Sequence, residues 1–503
     1  MHPPDTTRPP TLLDALLDKY KWTPYRVFRS QFKDAGQKAA RELKNPRLRG
    51  LELTETTYRR WRQGKQEPTG DFASVLEFLF GVDVTTLLQP APVNVEYTAL
   101  RAPHPQTLSA AYQLDHRMPT SSLFLAAPPG GGGVWHLNGG DGGVFDGTQV
   151  AAAAYEARPA AGGVVVIGEE DLEHVRVFTR PARRALVFAS LGGRGRDAFY
   201  LMDSTAAREA TALPFVRDLK VPDAYRLDHL TYALMWAALC FDDWLQADDV
   251  MLAGERERLE RGAVVRTGFA RSALPGLSSA GAVWLGSHVC AVHAERHLAG
   301  SGVVPVLWSQ CRSGPEAAAW LLLKDRMRVL DLLRPPGGSG PGQVAVCLPE
   351  KAVKGSEPYE RVLLLLFAAL LESRGIAIAV SDDPAYTAME EVLVVAERTA
   401  VVGNWMPRGD GICAAATAED PARVGLYAGA VAHARAHSVI AANDSTGRLR
   451  RLAEYLELDG AWLAGRCREL TATGIGGLVR TRSHLLHTGG LEASLARLGD
   501  LEP

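Results

Sequence analysis

The hydrophobic residues of the first ninety positions recur at intervals of three and four, which is typical of helices. The segment "TLLDALLDKY" begins with Thr11, which is its predicted N-cap. The segment "TPYRVFRSQFKDAGQKAARELK" begins with Thr23 as a cap and has a proline at the first helical position. Two further helices are predicted for "LTETTYRRWRQGKQEP" and for "DFASVLEFLFGVDVTTLL", the last ended by Gly81. Residues 11–90, called the head below, are therefore predicted to be all-helical. A Pro-rich lead at residues 1–10 is expected to be disordered.

The pattern changes after a Pro-rich linker at residues 91–107. Between residues 108 and 215, short runs rich in Val and Phe lie between Gly, Pro and Asp residues, which predicts strands and a β-rich domain. These runs are "SSLFLAAP", "GVVVIG", "HVRVFTRP", "RALVFAS" and "DAFYLMDS". The glycine-dense "PPGGGGVWHLNGGDGG" matches no phosphate-binding pattern and predicts a hairpin or loop.

The second half of the chain mixes helix and strand patterns. Residues 223–335 are predicted to be mostly helical, and residues 343–445 alternate between strands such as "QVAVCLP" and "IAIAVSDD" and helices such as "YERVLLLLFAALLESRG". Helices close the chain. We therefore predict an α+β multidomain protein with an all-α head and a mixed α/β body, the body being residues 108–503. The pattern leaves open whether residues 108–215 and 223–503 form one domain or two.

Composition gives few constraints on the protein class. With 503 residues, 47% hydrophobic and 22% charged, the chain suits two or three globular domains. Its longest apolar run, from Arg361, is too short to span a bilayer and predicts a buried helix. The first residues lack the apolar run of a signal peptide. The six cysteines show no CxxC pairing and are expected to be buried free thiols, so we expect a cytoplasmic protein without a membrane partner.

Charge is distributed unevenly along the chain. The segment from Lys19 to Lys65 contains fourteen Lys and Arg residues against four acids, which gives +10, whereas the whole chain has a net charge of −2. The remaining residues therefore carry about −12. A basic segment on an otherwise acidic protein is typical of a nucleic-acid-binding module.

The stretch "LTETTYRRWRQGKQEP" predicts a helix with two different faces. Thr54 can cap its start, and Tyr58 and Trp61, three positions apart, can pack inward together. Short polar and long basic residues then occupy the other faces. Such a helix suits the major groove, where Arg binds guanine edges, Thr contacts the thymine methyl group and other basic residues bind phosphates. The predicted DNA-binding residues are Glu55, Thr56, Thr57, Arg59, Arg60, Arg62 and Lys65.

This stretch, with the following "FASVLEFLFGV", resembles the recognition helix and next helix of the XRE (lambda repressor/Cro-like) helix-turn-helix family. The resemblance implies a cap at Thr54 and a groove-facing pair, Glu55 and Thr56. It further implies a base contact from Arg60, phosphate contacts from Thr57 and Lys65, and core positions at Tyr58 and Trp61. The chain departs from the family upstream, where a long basic segment, Gln31 to Gly50, replaces the compact second helix and its Gly turn.

The body carries two further resemblances. Segments such as "YRLDHLTYALMWAALCFDDWLQADD" and "PVLWSQCRSGPEAAAWLLLKDRM" resemble the C-terminal region of large actinobacterial regulators that carry an XRE-like head, a region without established chemistry. The segment "SDDPAYTAMEEVLVVAERTAVVGNW" is faintly similar to the tail of phospholipase D-like folds. The HxK pair that the chemistry of that family needs is missing upstream, so this similarity implies a body without catalysis.

Two clusters in the body have residue types that can bind metals. His293 and His297 are four apart in "SHVCAVHAERHL", but Glu295 does not complete an HExxH motif, so an amphipathic helix with surface histidines is favoured over a zinc site. The acids of "FDDWLQADD" are expected to mark helix ends and a solvated face rather than a magnesium site. No GxSxG motif is present. We predict no metal, no cofactor and no catalytic residue.

These observations favour a DNA-binding transcriptional regulator. Its head is expected to bind double-stranded DNA, and its body to form a homodimer and to sense a small-molecule or protein effector. Two other functions are compatible with the sequence: an enzyme whose α/β body acts on a small molecule or a phosphodiester, and a protein-interaction scaffold with a degenerate head.

Overall fold

The computed structural model describes most of the chain between residues 11 and 501. The described residues are 11, 13–14, 17, 22–42, 45–63, 65–80, 84–88, 120–124, 132–137, 148–180, 185–191, 198–213, 215–261, 268–270, 274, 276–298, 303–334, 341–395, 398–406 and 412–501. The predicted lead, the linker and most of the predicted first helix and of the glycine-dense loop lie outside these residues.

The described part of the head is all-helical, as its hydrophobic pattern predicts. Its helices are α1 (Tyr25–Glu42), α2 (Glu55–Arg62), α3 (Asp71–Phe80) and α4 (Val84–Leu87), with a 3-10 turn at Pro46–Gly50 between α1 and α2. Their apolar faces form a core of their own, in which Phe28, Phe32, Tyr58, Trp61 and Leu76 are buried.

The connection from α1 to α2 depends on a glycine. A Cβ atom on Gly36 would lie 2.7 Å from the carbonyl oxygen of Leu48, so a larger residue would displace the 3-10 turn from α1. Leu48 is 1% exposed and closes the core at this point. The basic segment between Gln31 and Gly50 is therefore a long helix and a packed turn.

The body begins with a seven-stranded sheet. Its strands are β1 (Thr120–Phe124), β2 (Gly132–Leu137), β3 (Thr148–Ala160), β4 (Val164–Ile167), β5 (Ala185–Leu191), β6 (Phe199–Asp203) and β7 (Leu219–Pro222). They pair in the order β1-β2-β3-β4-β7, and β5 joins β3 in parallel and β6 in antiparallel orientation. Two helices, α5 (Glu169–Thr179) and α6 (Ser204–Ala210), accompany the sheet.

Helix α5 corrects one of the predicted strands. The run "HVRVFTRP" was expected to be extended, but its residues up to Thr179 are helical. Three acids in the first turn, Glu169 to Asp171, favour a helix N-terminus through the helix dipole, and Leu172, Val175 and Thr179 are buried at helical spacing. The β-branched residues therefore follow the helical period rather than their intrinsic β propensity.

A second seven-stranded sheet lies in the C-terminal half. Its strands are β8 (Gly268–Ala270), β9 (Val306–Ser309), β10 (Gly342–Cys347), β11 (Ile376–Ser381), β12 (Glu391–Val395), β13 (Thr399–Asn404) and β14 (Ile412–Ala418). They are arranged in the order β11-β10-β9-β12-β13-β14-β8. Strands β9 to β11 are parallel, and the others pair antiparallel. The sheet is therefore mixed.

Helices surround this sheet. They are α7 (His229–Arg261), α8 (Ser279–Leu298), α9 (Gly314–Leu322), α10 (Lys324–Leu332), α11 (Glu350–Gly355), α12 (Pro358–Ser373), α13 (Pro421–Ala436), α14 (Ser445–Tyr455), α15 (Gly460–Thr473) and α16 (Gly489–Gly499). Helix α12 is buried on nearly all sides, from Tyr359 to Glu372, which confirms the interpretation of the longest apolar run as a buried helix. Among the described residues, no helix is both long and apolar enough to cross a membrane.

The two parts of the body share one core. A single cluster of buried residues runs from Ala152 in β3 to Leu501 after α16. Polar contacts cross the same boundary: the Tyr225 hydroxyl donates to the Gly474 carbonyl oxygen at 2.8 Å, and the Asp203 amide donates to the Gly477 carbonyl oxygen at 2.8 Å. The β-rich part and the following α/β part therefore pack as one unit. All six cysteines are buried and none of them forms a disulfide bond, as predicted.

An arginine without solvent contact joins several elements of the body. Arg326 in α10 is 0% exposed, and its guanidinium bonds to the Ser287 hydroxyl and to a Glu391 carboxylate oxygen, each at 2.7 Å. It lies 4.9 Å from the Trp320 ring and 4.4 Å from the Trp405 ring. The Trp405 indole N–H donates to the second oxygen of Glu391 at 2.8 Å. Both charges are thus paired and hydrogen-bonded, as burial requires.

Breaking this pair is expected to destabilise the body strongly. Glu391→Ala leaves the Arg326 guanidinium buried without its counter-charge and should cost about 3–5 kcal/mol of unfolding free energy. The double variant Arg326→Met/Glu391→Leu removes both charges and should be less destabilised than Glu391→Ala. Urea unfolding followed by tryptophan fluorescence measures both. Asp331→Ala, which removes an exposed partner of Arg374, is the control and should cost less than about 1 kcal/mol.

Candidate nucleic-acid interface

Helix α2 begins at a threonine cap. Thr54 has an extended backbone, and its hydroxyl accepts the Thr57 amide hydrogen at 3.2 Å. The Thr54 and Thr57 hydroxyls also lie 2.8 Å apart. Thr57 is therefore held against the cap and is half-buried, whereas Thr56 and Glu55 beside it are exposed. The cap fixes where the helix starts, and so which side chains face outward.

Two aromatic side chains attach α2 to the head. Tyr58 stacks on Phe28 with ring centroids 4.9 Å apart, and its hydroxyl donates to the Thr23 carbonyl oxygen at 2.7 Å. Trp61 meets Phe72 edge to face at 5.7 Å. Both are core residues, as the sequence pattern predicted. The hydrogen bonds and ring contacts on this side fix the orientation of the whole helix.

The opposite side of α2 is a polar, exposed stripe. Thr56, Arg59 and Arg60 are all exposed, and Gln63, the C-cap residue, continues the same stripe. These four residues occupy positions i, i+3, i+4 and i+7, which align on one helix face. Gln63 is absent from the predicted contact residues, although its spacing from Thr56 in the sequence indicates the shared face.

Arg62 lies on the inward side of the helix. Its Nε atom pairs with a carboxylate oxygen of Asp14, and its guanidinium lies 5.8 Å from the Tyr58 ring. Its side chain is 27% exposed. Of the seven predicted DNA contacts, Arg62 thus makes a partly buried ion pair within the head. Its position 40° around the helix from Tyr58 explains this, because the helical period is 100° per residue.

Glu55 and Arg59 interact with each other on the exposed surface. The Arg59 guanidinium donates to a Glu55 carboxylate oxygen at 2.7 Å, and the two side chains are 69% and 51% exposed. Solvent screens such a pair, so it can exchange for other partners at little cost. Arg60 has no such neighbour among the contacts of the described residues, and Lys65, just beyond the helix, is exposed.

Further positive charge surrounds the helix. The exposed cations of the described head are Arg26, Arg29, Lys33, Lys38, Arg41, Arg47, Arg49, Arg59, Arg60 and Lys65, and its exposed acids are Asp34, Glu52, Glu55, Glu67 and Glu77. The Tyr25 hydroxyl donates to the Leu53 carbonyl oxygen at 2.6 Å, so the first turn of α1 lies beside the start of α2. Arg29 follows Tyr25 by four positions on the same stripe of α1. Basic residues therefore flank α2.

Of the histidines of "SHVCAVHAERHL", His297 is exposed as predicted, whereas His288 and His293 are not at the surface. His288 is buried, stacks on Trp284 at 5.3 Å and pairs through Nδ1 with Asp325 at 3.2 Å. His293 is also buried, and its Nε2 lies 3.0 Å from the Thr417 hydroxyl. Burial, with the neighbouring His297, lowers the pKa of His293 to about 4, so its ring is neutral at physiological pH. The helix is enclosed by the sheet and by α10, which the sequence alone did not show.

Two of the four aspartates of "FDDWLQADD" differ from the predicted solvated face, whereas Asp243 and Asp249 are partly exposed. Asp242 is 0% exposed and accepts the Arg482 and Ser483 amide hydrogens at 2.6 and 2.9 Å. Asp248 is buried and accepts the Ser278 hydroxyl at 2.6 Å. These carboxylates hold later segments against α7. Within the described ranges, no group of three His, Cys, Asp or Glu side chains is placed to bind a metal ion.

The body contains an apolar pocket between α12, α14, α15 and α16. Its volume is about 210 Å³. The walls are formed by aliphatic side chains, with charged residues among the lining. They include Leu365, Ala461, Ala464, Leu498, Arg450 and Glu454. Its aliphatic walls suit a small, mostly apolar molecule, although its volume is below the roughly 300–1,000 Å³ of most ligand sites.

Comparison of the chain with protein-family models, with curated proteins and with solved structures found no match.

The two arginines of α2 are expected to differ in their effect on stability. Arg62→Ala removes the ion pair with Asp14 and the contact with Tyr58, and should destabilise the head by about 1 kcal/mol. Arg60→Ala should change stability by less than about 0.5 kcal/mol, because Arg60 is exposed. Hydrogen exchange of peptides from α1 to α3, measured by mass spectrometry on the full chain, gives both values. Equal effects would contradict the inward placement of Arg62.

Proposed function

We propose that the protein is a transcriptional regulator whose head binds double-stranded DNA through α2. The observation that carries the proposal is the stripe of Thr56, Arg59, Arg60 and Gln63 on a helix whose other side is fixed in an aromatic core. An exposed face of this composition, within a head rich in exposed cations, is what a groove-binding helix requires. The acidic remainder of the chain supports a division between a DNA-binding head and another role for the body.

The stripe matches the chemistry of base edges in the major groove. Arg60 can donate two hydrogen bonds to a guanine, Gln63 can bond bidentately to an adenine, and the Thr56 methyl group can contact a thymine methyl. Arg59 can exchange Glu55 for a phosphate or a base. Because α2 is held by rings and hydrogen bonds on its inner side, these side chains are presented on a rigid support.

Phosphate contacts would fix the position of the head on DNA. Lys65 follows α2 and Arg29 flanks it on α1, so both lie at the borders of the proposed groove contact. Such contacts supply affinity without sequence preference. Thr57 is half-buried against the cap. Its location at the start of α2 nevertheless places it beside the expected path of the DNA phosphate backbone.

One small head offers few base contacts, so two heads on two half-sites are the arrangement that gives useful specificity. We therefore assign dimerisation to the body. We also assign to it the sensing of a small apolar effector, bound in the pocket between α12 and α16. Such an effector changes DNA binding only if it binds two conformations of the body differently. A regulator of this kind acts on DNA in the cytoplasm.

The DNA-binding proposal predicts that removing a positive charge from the head weakens DNA binding, whereas removing one from the body does not. In a fluorescence anisotropy titration with fragments from upstream of its own gene, Arg60→Ala should weaken specific binding by about 1–3 kcal/mol. Lys65→Ala should weaken binding to all sequences and lower the salt slope, d log K/d log[salt], by about 1. Arg217→Ala and Lys351→Ala remove exposed cations of the body and are the matched controls, with no expected effect.

A chain that binds no fragment even at low salt would contradict the proposal and favour a protein-interaction role for the head. Binding that is unchanged in Arg60→Ala and Lys65→Ala, but weakened in Arg217→Ala, would move the DNA contact to the body. In that case, an enzyme acting on phosphodiesters becomes the alternative to test, by incubation of the protein with labelled DNA.

The pocket should bind apolar probes. Decanoate, taken as a probe, is expected to raise the midpoint of thermal unfolding with the logarithm of its concentration above the dissociation constant, because it binds the folded state. Ala461→Phe places a ring at the exposed edge of the pocket without adding volume to a packed core, and should abolish the shift. An equal decanoate shift in the wild-type protein and in Ala461→Phe would place the probe elsewhere.

A further inference from the structure

A second pocket, of about 150 Å³, lies between α7, α8 and the segment that precedes α16. It shares no lining residue with the pocket between α12 and α16. Trp284 of α8 and Leu485 are buried and form its base, whereas the lining residues of α7 are more exposed and form its rim. A cavity of this volume can hold a molecule of about the size of benzene. The pocket therefore suits the short aliphatic side chain of a small ligand.

Hydrogen bonds fix the walls of this pocket relative to one another. The Ser278 hydroxyl, just before α8, donates to the Asp248 carboxylate of α7 at 2.6 Å. The Lys324 amide, at the start of α10, donates to the Leu485 carbonyl oxygen at 3.3 Å, and the Lys324 ammonium donates to the carbonyl oxygen of His484. The pocket is therefore already formed before a ligand binds, so binding costs little conformational entropy.

The base of the pocket carries a hydrogen-bond donor without a partner. Trp284 is 2% exposed, and its indole N–H finds no acceptor among the described residues. The Trp284 ring stacks on His288 at 5.3 Å, and Nδ1 of His288 lies 3.2 Å from a carboxylate oxygen of Asp325, so the ring is held in place. A buried donor without a partner costs free energy, which an acceptor on a ligand in this pocket recovers.

Charges of both signs surround the mouth of the pocket. Asp249 and Glu257 supply carboxylates, and Arg256 supplies a guanidinium. Nδ1 of His484 lies 3.2 Å from a carboxylate oxygen of Asp249, and the two side chains are 64% and 45% exposed, so this pair can exchange for other partners at little cost. A ligand with a single charge would face a rim group of its own sign. A ligand with both charges is complementary to the whole rim.

We propose that this pocket binds a free amino acid with a small aliphatic side chain. The side chain lies against Trp284 and Leu485 at the base. The ammonium group bonds to the carboxylates of Asp249 and Glu257, and the carboxylate group accepts hydrogen bonds from Arg256 and from the indole N–H of Trp284. The site does not depend on DNA binding by the head. Within the proposed function, it gives the body a second effector beside the apolar one.

Isothermal titration calorimetry of the full chain tests the class of ligand. L-valine is the probe, isobutylamine is its analogue without the carboxylate, and isovalerate is its analogue without the ammonium group. Each analogue should bind at least about 10-fold more weakly than valine, because it lacks one set of charge-assisted hydrogen bonds. An analogue that binds as tightly as valine would overturn the assignment of an amino acid. The absence of heat with alanine, valine and leucine at millimolar concentration would overturn the site.

Three variants test the position of the ligand. Ala253→Phe places a ring in the mouth of the pocket from an exposed position of α7, and should abolish valine binding. Trp284→Phe keeps a ring at the base without the N–H, and should weaken valine binding about 5- to 30-fold. Ala461→Phe fills the other pocket and is the matched control, with no expected effect. Circular dichroism should show that all three fold.

Valine affinity that Ala253→Phe leaves unchanged would place the ligand elsewhere and overturn the site. Valine affinity that Trp284→Phe leaves unchanged would overturn the hydrogen bond from the indole N–H.

The two proposals fail separately. DNA binding that depends on Arg60, in a protein that gives no heat with the amino acids, leaves the proposed function and removes this inference. Valine binding that Ala253→Phe abolishes, in a protein that binds no DNA, does the reverse.

Discussion

The guanidinium of Arg326 is buried in the body, so protein groups rather than water must neutralise its charge, and several elements are held together around it. Arg326 contacts α8 through Ser287, β12 through Glu391, and the rings of Trp320 and Trp405. Each partner comes from a different element, so helices on one side of the sheet cannot shift against its strands without exposing or unpairing a buried charge. Such a pair adds little net stability compared with an apolar core, but it penalises every alternative packing. The register of α10 against the sheet is set in this way.

The geometry of the head is fixed by ring contacts and by hydrogen bonds from tyrosine hydroxyl groups. In its core, Tyr58, Trp61, Phe28, Phe32 and Phe72 fix α2 through ring contacts, and the hydroxyl groups of Tyr25 and Tyr58 tie the starts of α1 and α2 together. Apart from the half-buried Asp14, Arg62 and Asp71, the charged residues of the described head are exposed. The outer stripe of α2 is therefore not part of the core of the head, and the ion pair between Glu55 and Arg59 on this side of the helix is exchangeable.

Much of this architecture could be predicted from the spacing of the hydrophobic residues. The predictions fail where contacts between distant parts of the chain determine the structure. The all-α head, the α+β class, α12 and the core role of Tyr58 and Trp61 were predicted, because long periodic segments carry strong signals. The alanine-rich β3 carries no such signal, since alanine is a poor strand former and is kept extended here by pairing with three other strands. The i, i+4 spacing of Tyr58 and Arg62 does indicate that Arg62 lies on the inward side of the helix. Its ion pair with Asp14, 48 residues away, and the burial of Asp242 against Arg482 and Ser483 depend on distant contacts that no local pattern indicates.

The proposed division of roles gives the head the contact with DNA and the body the pairing of two heads. The stripe on α2 would bind through charge and hydrogen bonds, whose free energy falls as salt rises. The proposed dimer of the body would keep two heads together when each single contact with DNA is weak. The second head then binds at the effective concentration set by the first, and affinity for paired half-sites rises without any additional contact to DNA.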